Sequence, residues 1–382
     1  MNDADLDILI VSAPENVFYV SGVPTSFTNA NRLLFCSRRN SPLMCVVPSE
    51  GEPALVLSAA ALDVTTRNSW IRDLRLYATG TYIWREKKVE LEANTFLDAL
   101  RKVVSEKLRR GASASARIGI EFNDFSTVNY EAMKKAFPKE RFVDANETLM
   151  LSRMIKNQEE IARFKRANQI LCKAIGVVEN ALKDRPTEAE LDTLLKYTML
   201  KEGAESWQQT TIAAGRVSGP DIYNQPVPKR KIKTGDLIRL DVGCVYKGYT
   251  ADLSRTFAVE RVHPRAAKTY NVLREAFEEY IDLLEPGRKA SAVNVAVVDY
   301  VREHLDKEYY RGNVGHGVGV ELYDKPLLGA EDHTPLQGGM TLSYEVPYHI
   351  SGLGGLNIED SVLITKSSRQ VVSKYDRDII VV

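Results

Sequence analysis

Hydrophobic and polar positions in the first part of the chain alternate between the two periods that mark strands and helices. Short apolar runs bounded by turn-forming residues predict strands. These strands are expected at residues 8–11, 33–36, 43–47, 55–57 and 117–120. Apolar residues at helical spacing predict helices at residues 59–67, 86–110 and 127–136. Strands and helices mixed in this way indicate an α/β domain.

The pattern changes between residues 146 and 157, where we place a domain boundary. Asn157 and Glu160 have the form of a capping box, in which the residue before a helix and its third residue exchange hydrogen bonds. The box predicts a helix that runs to about residue 181. Thr187 and Glu190 repeat the device at the next helix. We therefore expect an N-terminal domain of residues 1–150 and a C-terminal domain of residues 151–382.

Residues 237–259 predict two antiparallel strands around a two-residue turn at 247–248. In that register Asp252 faces Gly243, and Gly243 lies two residues from Asp241. Both aspartates then project from one face of the hairpin. Two carboxylates so close repel each other unless a cation lies between them. A solvated hairpin with two surface acids is the alternative, and the apolar neighbours of Asp241 argue against it.

Three further residues could complete a metal site with this pair. His316 lies among glycines, which let the backbone pass close to a metal or substrate. Glu345 ends an alternating run, and Glu359 interrupts an apolar one. Taken singly, a histidine is more often structural than ligating, and an isolated acid in a strand usually faces water. Asp241, Glu345 and Glu359 each interrupt an apolar run, and this repetition is what a structural role does not explain. Four carboxylates and one imidazole together suit manganese, cobalt, iron or zinc in an open site, whereas a closed structural zinc site is rich in cysteine.

The order Asp, Asp, His, Glu, Glu and the phrases around these residues resemble the pita-bread metallopeptidases, which include methionine aminopeptidase, prolidase and Xaa-Pro aminopeptidase. The phrases are Leu-Asp-Val-Gly, Thr-Ala-Asp-Leu-Ser, Gly-His-Gly-Val-Gly, Tyr-Glu-Val-Pro and Asn-Ile-Glu-Asp. Residues 7–22 and 153–161 are similar to the first domain of prolidase and creatinase and to its junction with their catalytic domain. Methionine aminopeptidase lacks that domain, so the prolidase, Xaa-Pro aminopeptidase and creatinase branch matches better.

This resemblance implies an α/β (α+β) protein with a creatinase-like N-terminal domain followed by a pita-bread catalytic domain. It implies two divalent ions, Mn, Co, Zn or Fe, with Asp241 on one ion, Asp252 and Glu359 bridging both, and His316 and Glu345 on the other. A water between the ions would attack a C–N amide-type bond. Glu345 would carry the proton to the leaving nitrogen, which makes Glu345 and His316 the expected catalytic residues. Relatives are usually homodimers.

Four positions near the expected substrate depart from the family pattern. Asn224 and Tyr323 replace histidines, Asn357 replaces a common arginine, and His349 replaces a tyrosine. We expect these four residues to bind substrate. An asparagine amide and a tyrosine hydroxyl both donate hydrogen bonds without carrying positive charge, which favours a neutral or cationic ligand.

These departures leave three functions open. The first is a divergent peptidase acting on a dipeptide or peptide of the Xaa-Pro class. The second is a hydrolase or lyase for a small non-peptide molecule, as ectoine hydrolase is on this fold. The third is a pseudoenzyme that binds a peptide without cleaving it.

The composition of the chain limits the kinds of partner and cellular location that we expect. The chain carries 51 basic and 51 acidic residues, so it offers no net charge for nucleic acid or an anionic membrane. Its four cysteines form no Cys-x-x-Cys pair and are too few for a disulfide scaffold. The acidic N-terminus does not resemble a signal peptide, and no apolar run approaches membrane-spanning length. We therefore expect a cytoplasmic protein.

Overall fold

The computed structural model describes residues 4–24, 42–78, 89–108, 115–218 and 230–382. The chain divides into two compact units, Met1–Ser152 and Arg153–Val382. Among the helices of the described ranges, none combines the length and the apolar character that crossing a bilayer requires.

The first unit is built on a mixed sheet. Its strands in the described ranges are β1 (Ile8–Val11), β2 (Met44–Pro48), β3 (Ala54–Ser58), β4 (Asp73–Tyr77), β5 (Arg117–Ile120) and β6 (Arg141–Asp144). Their spatial order is β4-β3-β2-β1-β5-β6, with β1 antiparallel to β2 and parallel to β5. The accompanying helices are α1 (Pro14–Ser21), α2 (Leu62–Asn68), α3 (Phe96–Leu108) and α4 (Thr127–Ala136). Helix α5 (Asn146–Met154) begins in this unit and ends in the second.

Most elements predicted for this unit are confirmed. Strands β1 and β5 and helix α4 have the predicted bounds, and β2, β3 and α2 lie within a few residues of theirs. The strand predicted at residues 33–36 lies outside the described residues. Strands β4 and β6 and helices α1 and α5 were not predicted. Strand β4 does alternate, with Leu74 and Leu76 between polar residues, and that signal was missed.

The helix predicted from residue 86 is wrong at its start, since α3 begins at Phe96. The residues before it are bound to β4 instead: the Glu92 amide donates to the Leu76 carbonyl at 2.7 Å, and Ala78 donates to Ala93 at 3.2 Å. The Thr95 hydroxyl then accepts from the Asp98 amide at 3.2 Å, as an N-cap does. Long-range strand pairing therefore overrides the local helical pattern here.

In its described residues, the second unit combines one large sheet, a small two-stranded sheet and two pairs of α-helices. The strands described are β7 (Ser206–Ala214), β8 (Leu237–Tyr246), β9 (Tyr249–Ala258), β10 (Asn313–Gly317), β11 (Asp324–Gly329), β12 (Thr341–Glu345), β13 (Tyr348–Ile350), β14 (Gly354–Leu356), β15 (Glu359–Ile364), β16 (Arg369–Val371) and β17 (Ile380–Val381). The large sheet has the order β11-β10-β12-β15-β9-β8-β7, with β16 beside β15 and β17 beside β9, and β13 pairs with β14.

The helices described in this unit are α6 (Gln158–Ala181), α7 (Glu188–Lys201), α8 (Pro264–Tyr280) and α9 (Ala290–His304). Helices α6 and α7 begin with the two predicted capping boxes, at Asn157 and Thr187, and both are confirmed.

Each helix pair covers one half of the large sheet. Val242 of β8 lies in a core with α6 and α7, so Asp241 beside it points to the opposite face. Tyr344 of β12 lies in a core with α8 and α9, so Glu345 projects from that opposite face too. One face of the sheet is thus apolar under the helices, and the other carries the acids.

The two halves meet between β9 and β15. Glu359 of β15 lies opposite Ser254 of β9 at this junction. On the helix side, the buried Arg255 guanidinium donates to the Asp360 carboxylate across the same junction at 2.6 Å.

Candidate metal centre

Five neighbouring strands of the large sheet each supply one residue of the predicted metal site. In spatial order these are His316 on β10, Glu345 on β12, Glu359 on β15, Asp252 on β9 and Asp241 on β8. All five side chains line one cavity of about 190 Å³. The sheet therefore brings together residues that are up to 118 positions apart in the sequence.

The hairpin of β8 and β9 has the predicted register. Gly243 faces Asp252, and the turn is made by Lys247 and Gly248 with φ of 45° and 82°. Positive φ at both turn residues is the signature of a tight hairpin whose twist matches that of its strands. The prediction that Asp241 and Asp252 project from one face is confirmed, since both line the cavity.

The acids on β12 and β15 are placed by direct pairing of these strands. Glu345 lies opposite Glu359, and His316 of β10 lies opposite Ser343 of β12. The Ser343 hydroxyl also donates to the Glu359 carboxylate. This hydrogen bond fixes the orientation of Glu359 toward the cavity.

Asp252, His316 and Glu359 form the tightest group. Their ligand atoms all lie within 4.8 Å of one another, and the three residues are at most 2% exposed. The His316 Nε2 atom is 3.7 Å from Asp252 Oδ2. Its other ring nitrogen, Nδ1, lies 3.1 Å from the Gly317 carbonyl oxygen and donates to it in the tautomer that leaves Nε2 as an acceptor. The imidazole is therefore oriented as a metal ligand would be.

The glycines around His316 serve the sheet and not the cavity. A Cβ atom at Gly315, where φ is 142°, would lie 2.1 Å from the Ser343 carbonyl oxygen of β12. At Gly317 it would lie 2.2 Å from the Lys325 carbonyl oxygen of β11. The expectation that these glycines approach a metal or substrate is therefore wrong in its reason: they allow β10 to lie close to both neighbouring strands.

Burial dominates the electrostatics of the acids. It is the largest cause that raises the pKa of Asp252 and of Glu359 well above the ordinary values, and neighbouring carboxylates raise both further. Burial also raises the pKa of Asp241 to about 6, with Arg239 opposing and Glu345 reinforcing the shift. A cation among these acids would reverse this cost, because ionised carboxylates in a low dielectric need opposite charge nearby.

Five cavity residues were not found from the sequence, namely Gln209, Arg239, Arg311, Asn313 and Pro347. Three of them contact the acids. Gln209 donates to Asp241 Oδ1 at 2.7 Å, Arg311 donates to Glu345 Oε1 at 2.7 Å, and a guanidinium nitrogen of Arg239 lies 3.6 Å from Asp241 Oδ2. Arg239 could have been found, because it lies two residues before Asp241 and shares its face of β8. Gln209 and Arg311 gave no local signal.

The predicted substrate-binding residues are placed as follows. Tyr323, His349 and Asn357 line the cavity, and Asn224 lies outside the described residues. The Tyr323 ring is 56% exposed and stacks on the ring of His316 at 3.9 Å between centroids. The Asn357 amide donates to Glu345 Oε2 at 3.3 Å. Partial burial is the main cause that raises the pKa of Tyr323, so its hydroxyl remains a donor at neutral pH.

The arginines change the expected ligand. A cationic ligand, as the neutral donors Asn224 and Tyr323 favoured, would enter a cavity that contains the guanidiniums of Arg239 and Arg311. Like charges in one buried site repel strongly. With metal ions on the four carboxylates, these guanidiniums would disfavour a further cationic ligand.

His349 is held uncharged by its surroundings. Burial, and then the positive charges of Arg239 and Arg311, lower the pKa of His349 to about 4. The folded protein thus resists protonation that the unfolded chain accepts near pH 6.5. The contribution of neutral His349 to stability is fully present above pH 6.5 and is lost as the pH falls toward 4.

We expect His349→Asn to lose less stability than the wild type between pH 7 and pH 5, by on the order of 1 kcal/mol, since asparagine does not titrate. Urea unfolding of both proteins in the presence of a chelator measures the difference. Equal losses in the two proteins would show that His349 takes up its proton normally in the folded state.

Comparison with known proteins identifies the family. Residues 162–366, over half of the chain, match the model of metallopeptidase family M24. The chain belongs to metallopeptidase family M24. Residues 1–155 match the creatinase/prolidase N-terminal domain. The predicted fold, a creatinase-like domain followed by a pita-bread domain, is confirmed, and an M24 protein of this kind is a metallohydrolase.

Relatives of this M24 chain are named as peptidases. It is 30% identical over 255 residues to an Xaa-Pro dipeptidase from Pyrococcus horikoshii, covering 65% of this chain and 71% of that one. A structure titled Xaa-Pro dipeptidase from Bacillus anthracis has a TM-score of 0.81 at 23% identity, covering 100% of this chain and 96% of that one.

The same fold occurs in a protein titled as part of a larger complex. The N-terminal domain of a FACT complex subunit from chickpea (Cicer arietinum) has a TM-score of 0.73 at 17% identity, covering 98% of this M24 chain and 92% of that one. At this identity the likeness concerns the fold alone.

Proposed function

We propose that the protein is a dinuclear metallohydrolase that cleaves a C–N amide-type bond in a small substrate. The observation that carries the proposal is the placement of four carboxylates and one imidazole on five adjacent strands, all facing one cavity. Such a set matches the oxygen-rich, open sites of catalytic divalent metals.

The residues would divide between the two ions as follows. Asp252 and Glu359, which are the two most deeply buried acids of the site, would bridge both ions. His316, whose Nε2 faces Asp252, would hold one ion together with Glu345, and Asp241 would hold the other. Manganese, cobalt, zinc and iron all suit these ligands.

Glu345 has the surroundings of a proton carrier. When bound, the two ions would supply Lewis acidity toward a water and the substrate carbonyl. Glu345 lies at the end of β12 with a side chain 12% exposed, so it reaches the cavity while its oxygens accept from Arg311 and Asn357. A carboxylate oriented in this way can take a proton from water and deliver it to the leaving nitrogen.

The substrate pocket would differ from that of ordinary Xaa-Pro peptidases. Tyr323 and Asn357 replace groups that the family resemblance leads us to expect, and Arg239 and Arg311 add charge beside Asp241 and Glu345. We therefore expect wild-type protein reconstituted with manganese to cleave Xaa-Pro dipeptides weakly.

The double variant Asn224→His, Tyr323→His tests this divergence. If the protein is a proline peptidase that has merely lost two histidines at these positions, restoring both imidazoles should raise the rate of Xaa-Pro cleavage by about one to three decades. We expect less than about a tenfold gain, because the two arginines remain. Initial rates on Ala-Pro and Gly-Pro measure it. Wild-type turnover in the range of about 1–10³ s⁻¹ typical of enzymes would contradict the divergent pocket.

A second candidate function is a pseudoenzyme that binds a peptide on this scaffold. The observation behind this candidate is that Tyr323 and Asn357 replace residues that the family resemblance leads us to expect in the substrate pocket. Metal analysis separates the two candidates: bound metal together with turnover of any amide supports the enzyme, and a protein that holds no metal supports the pseudoenzyme.

We also propose a homodimer, which light scattering in solution tests.

A further inference from the structure

Four charged residues outside the proposed metal centre pair with one another. A guanidinium nitrogen of Arg153 donates to Asp324 Oδ1 at 2.8 Å and also pairs with the Glu321 carboxylate. Lys156 Nζ donates to the other oxygen of that aspartate, Oδ2, at 3.4 Å. The side chains of Arg153, Lys156 and Asp324 are at most 1% exposed. Buried charges are tolerated where they are paired, and here two cations and two anions offset one another.

Asp324 is held at its two carboxylate oxygens by two different cations. Rotation of the carboxylate would break one charge-assisted hydrogen bond or the other, and such bonds are among the stronger ones in proteins. The segment that carries the cations is itself bound, since the Lys156 amide donates to the Gly339 carbonyl at 2.9 Å. Asp324, the first residue of β11, is therefore fixed relative to residues 153–156.

The loop between β10 and β11 packs directly on this charged network. A Cβ atom on Gly319 would overlap Asp324 Oδ2 and lie 2.9 Å from Lys156 Cε. The Gly319 carbonyl accepts from the Thr250 amide of β9 at 2.8 Å, and Thr250 lies two residues before Asp252. The loop is thus bound to the network on one side and to the strand of a proposed metal ligand on the other.

Tyr323 is the last residue of this loop and immediately precedes Asp324. It lines the cavity, its ring stacks on the His316 ring at 3.9 Å between centroids, and the residue is 56% exposed. A side chain so exposed is not fixed by the packing around it, so its position depends on the backbone that carries it. That backbone is attached, one residue away, to the carboxylate that Arg153 and Lys156 hold.

We propose that Arg153 and Lys156 are positioning residues that hold the Tyr323 ring over His316 through Asp324. Neither of them lines the cavity, so they would act on the site through the loop. For its effect on turnover this inference rests on the proposed function, in which Tyr323 would bind substrate. A shift of about 1 Å in the geometry of a reacting complex can cost about 10²-fold in rate.

The position of the ring can be measured without any substrate. 3-Fluorotyrosine in place of Tyr323 in the zinc-loaded protein gives one ¹⁹F resonance, and the urea-unfolded protein gives the reference for a free ring. We expect the folded wild type to show a narrow line displaced from that reference. Lys156→Met removes one cation and leaves Arg153 paired with Asp324, and it should broaden the line or move it toward the reference.

Two further variants complete this measurement. Lys196→Met makes the same substitution at a lysine paired with Asp192 on α7 and should leave the line in place. Glu321→Gln weakens the network at its most exposed side chain, 36% exposed, and should change the line as Lys156→Met does. An unchanged line in folded Lys156→Met, or in Glu321→Gln where circular dichroism shows that Lys156→Met does not fold, would overturn the proposal. A network that only stabilises the protein would leave the ring in place.

Turnover of Ala-Pro separates this inference from the proposed function. Lys156→Met should lower kcat/KM by about 10-fold or more at unchanged metal content. On a Tyr323→Ala background it should cost less than about twofold further, since residues that act as one unit are not additive. Equal losses on both backgrounds would contradict action through Tyr323. If the wild type cleaves neither Ala-Pro nor any other amide, the proposed function fails, and the ¹⁹F line alone decides whether the network positions the ring.

Discussion

Asp252→Ala should remove most of the manganese or cobalt that the wild-type protein holds after reconstitution, which we expect to be about two ions per chain. Asp252 is 2% exposed and has ligand atoms of both His316 and Glu359 within 4.8 Å. In the arrangement proposed above, its carboxylate would bridge both ions. A residue that only hydrogen-bonds a metal ligand typically contributes about 10–100-fold to metal affinity. Loss of a ligand shared by both ions should weaken metal binding by more than this. Elemental analysis after gel filtration measures the occupancy.

Two further proteins make this test specific. Asp252→Asn keeps the size of the side chain and one oxygen, so it separates loss of charge from loss of packing. Asp299→Ala changes an aspartate that is 64% exposed on α9 and should bind metal as the wild type does. Full occupancy in folded Asp252→Ala, verified by circular dichroism, would show that the ions lie elsewhere. A wild type that binds no metal would favour the pseudoenzyme.

Glu345→Gln should lower turnover of any amide that the wild type cleaves by about 10²–10⁴-fold, the usual contribution of a general acid or base. Glutamine keeps an oxygen that can accept from Arg311 but cannot take up a proton, so the position is retained while the proton transfer is lost. Because Asp252, His316 and Glu359 remain, we expect the variant to keep at least one ion. Turnover at saturating manganese is measured together with metal content.

The matched control is Glu331→Gln, an exposed glutamate between β11 and β12 that should leave turnover unchanged. If Glu345→Gln retained turnover within about threefold of the wild type at full metal content, another group would have to carry the proton. A variant that loses both metal and turnover would assign Glu345 to metal binding before proton transfer.

Local geometry made part of the site predictable. The register of β8 and β9 follows from a two-residue turn, and a strand alternates its faces every residue, so the common face of Asp241 and Asp252 could be derived. The capping boxes at Asn157 and Thr187 are equally local and were found.

Pairing between distant strands was not predictable in this way. Nothing near Glu345 in the sequence says that it lies opposite Glu359. Their common site was inferred from the chemistry of the ligand set and from the family resemblance, not from strand pairing. Arg311 contacts Glu345 across 34 positions of sequence, and α3 starts late because Glu92 binds β4. These contacts are decided by tertiary structure, which a local pattern does not encode.

The division of the large sheet into two halves makes the stability of this unit depend on bound metal. Asp241 and Asp252 belong to the half backed by α6 and α7, while His316 and Glu345 belong to the half backed by α8 and α9. Ions bound by ligands from both halves would link the two halves across the junction of β9 and β15. The free energy of unfolding of this unit would then rise with the concentration of free metal, since a ligand that binds only the folded state stabilises it by mass action.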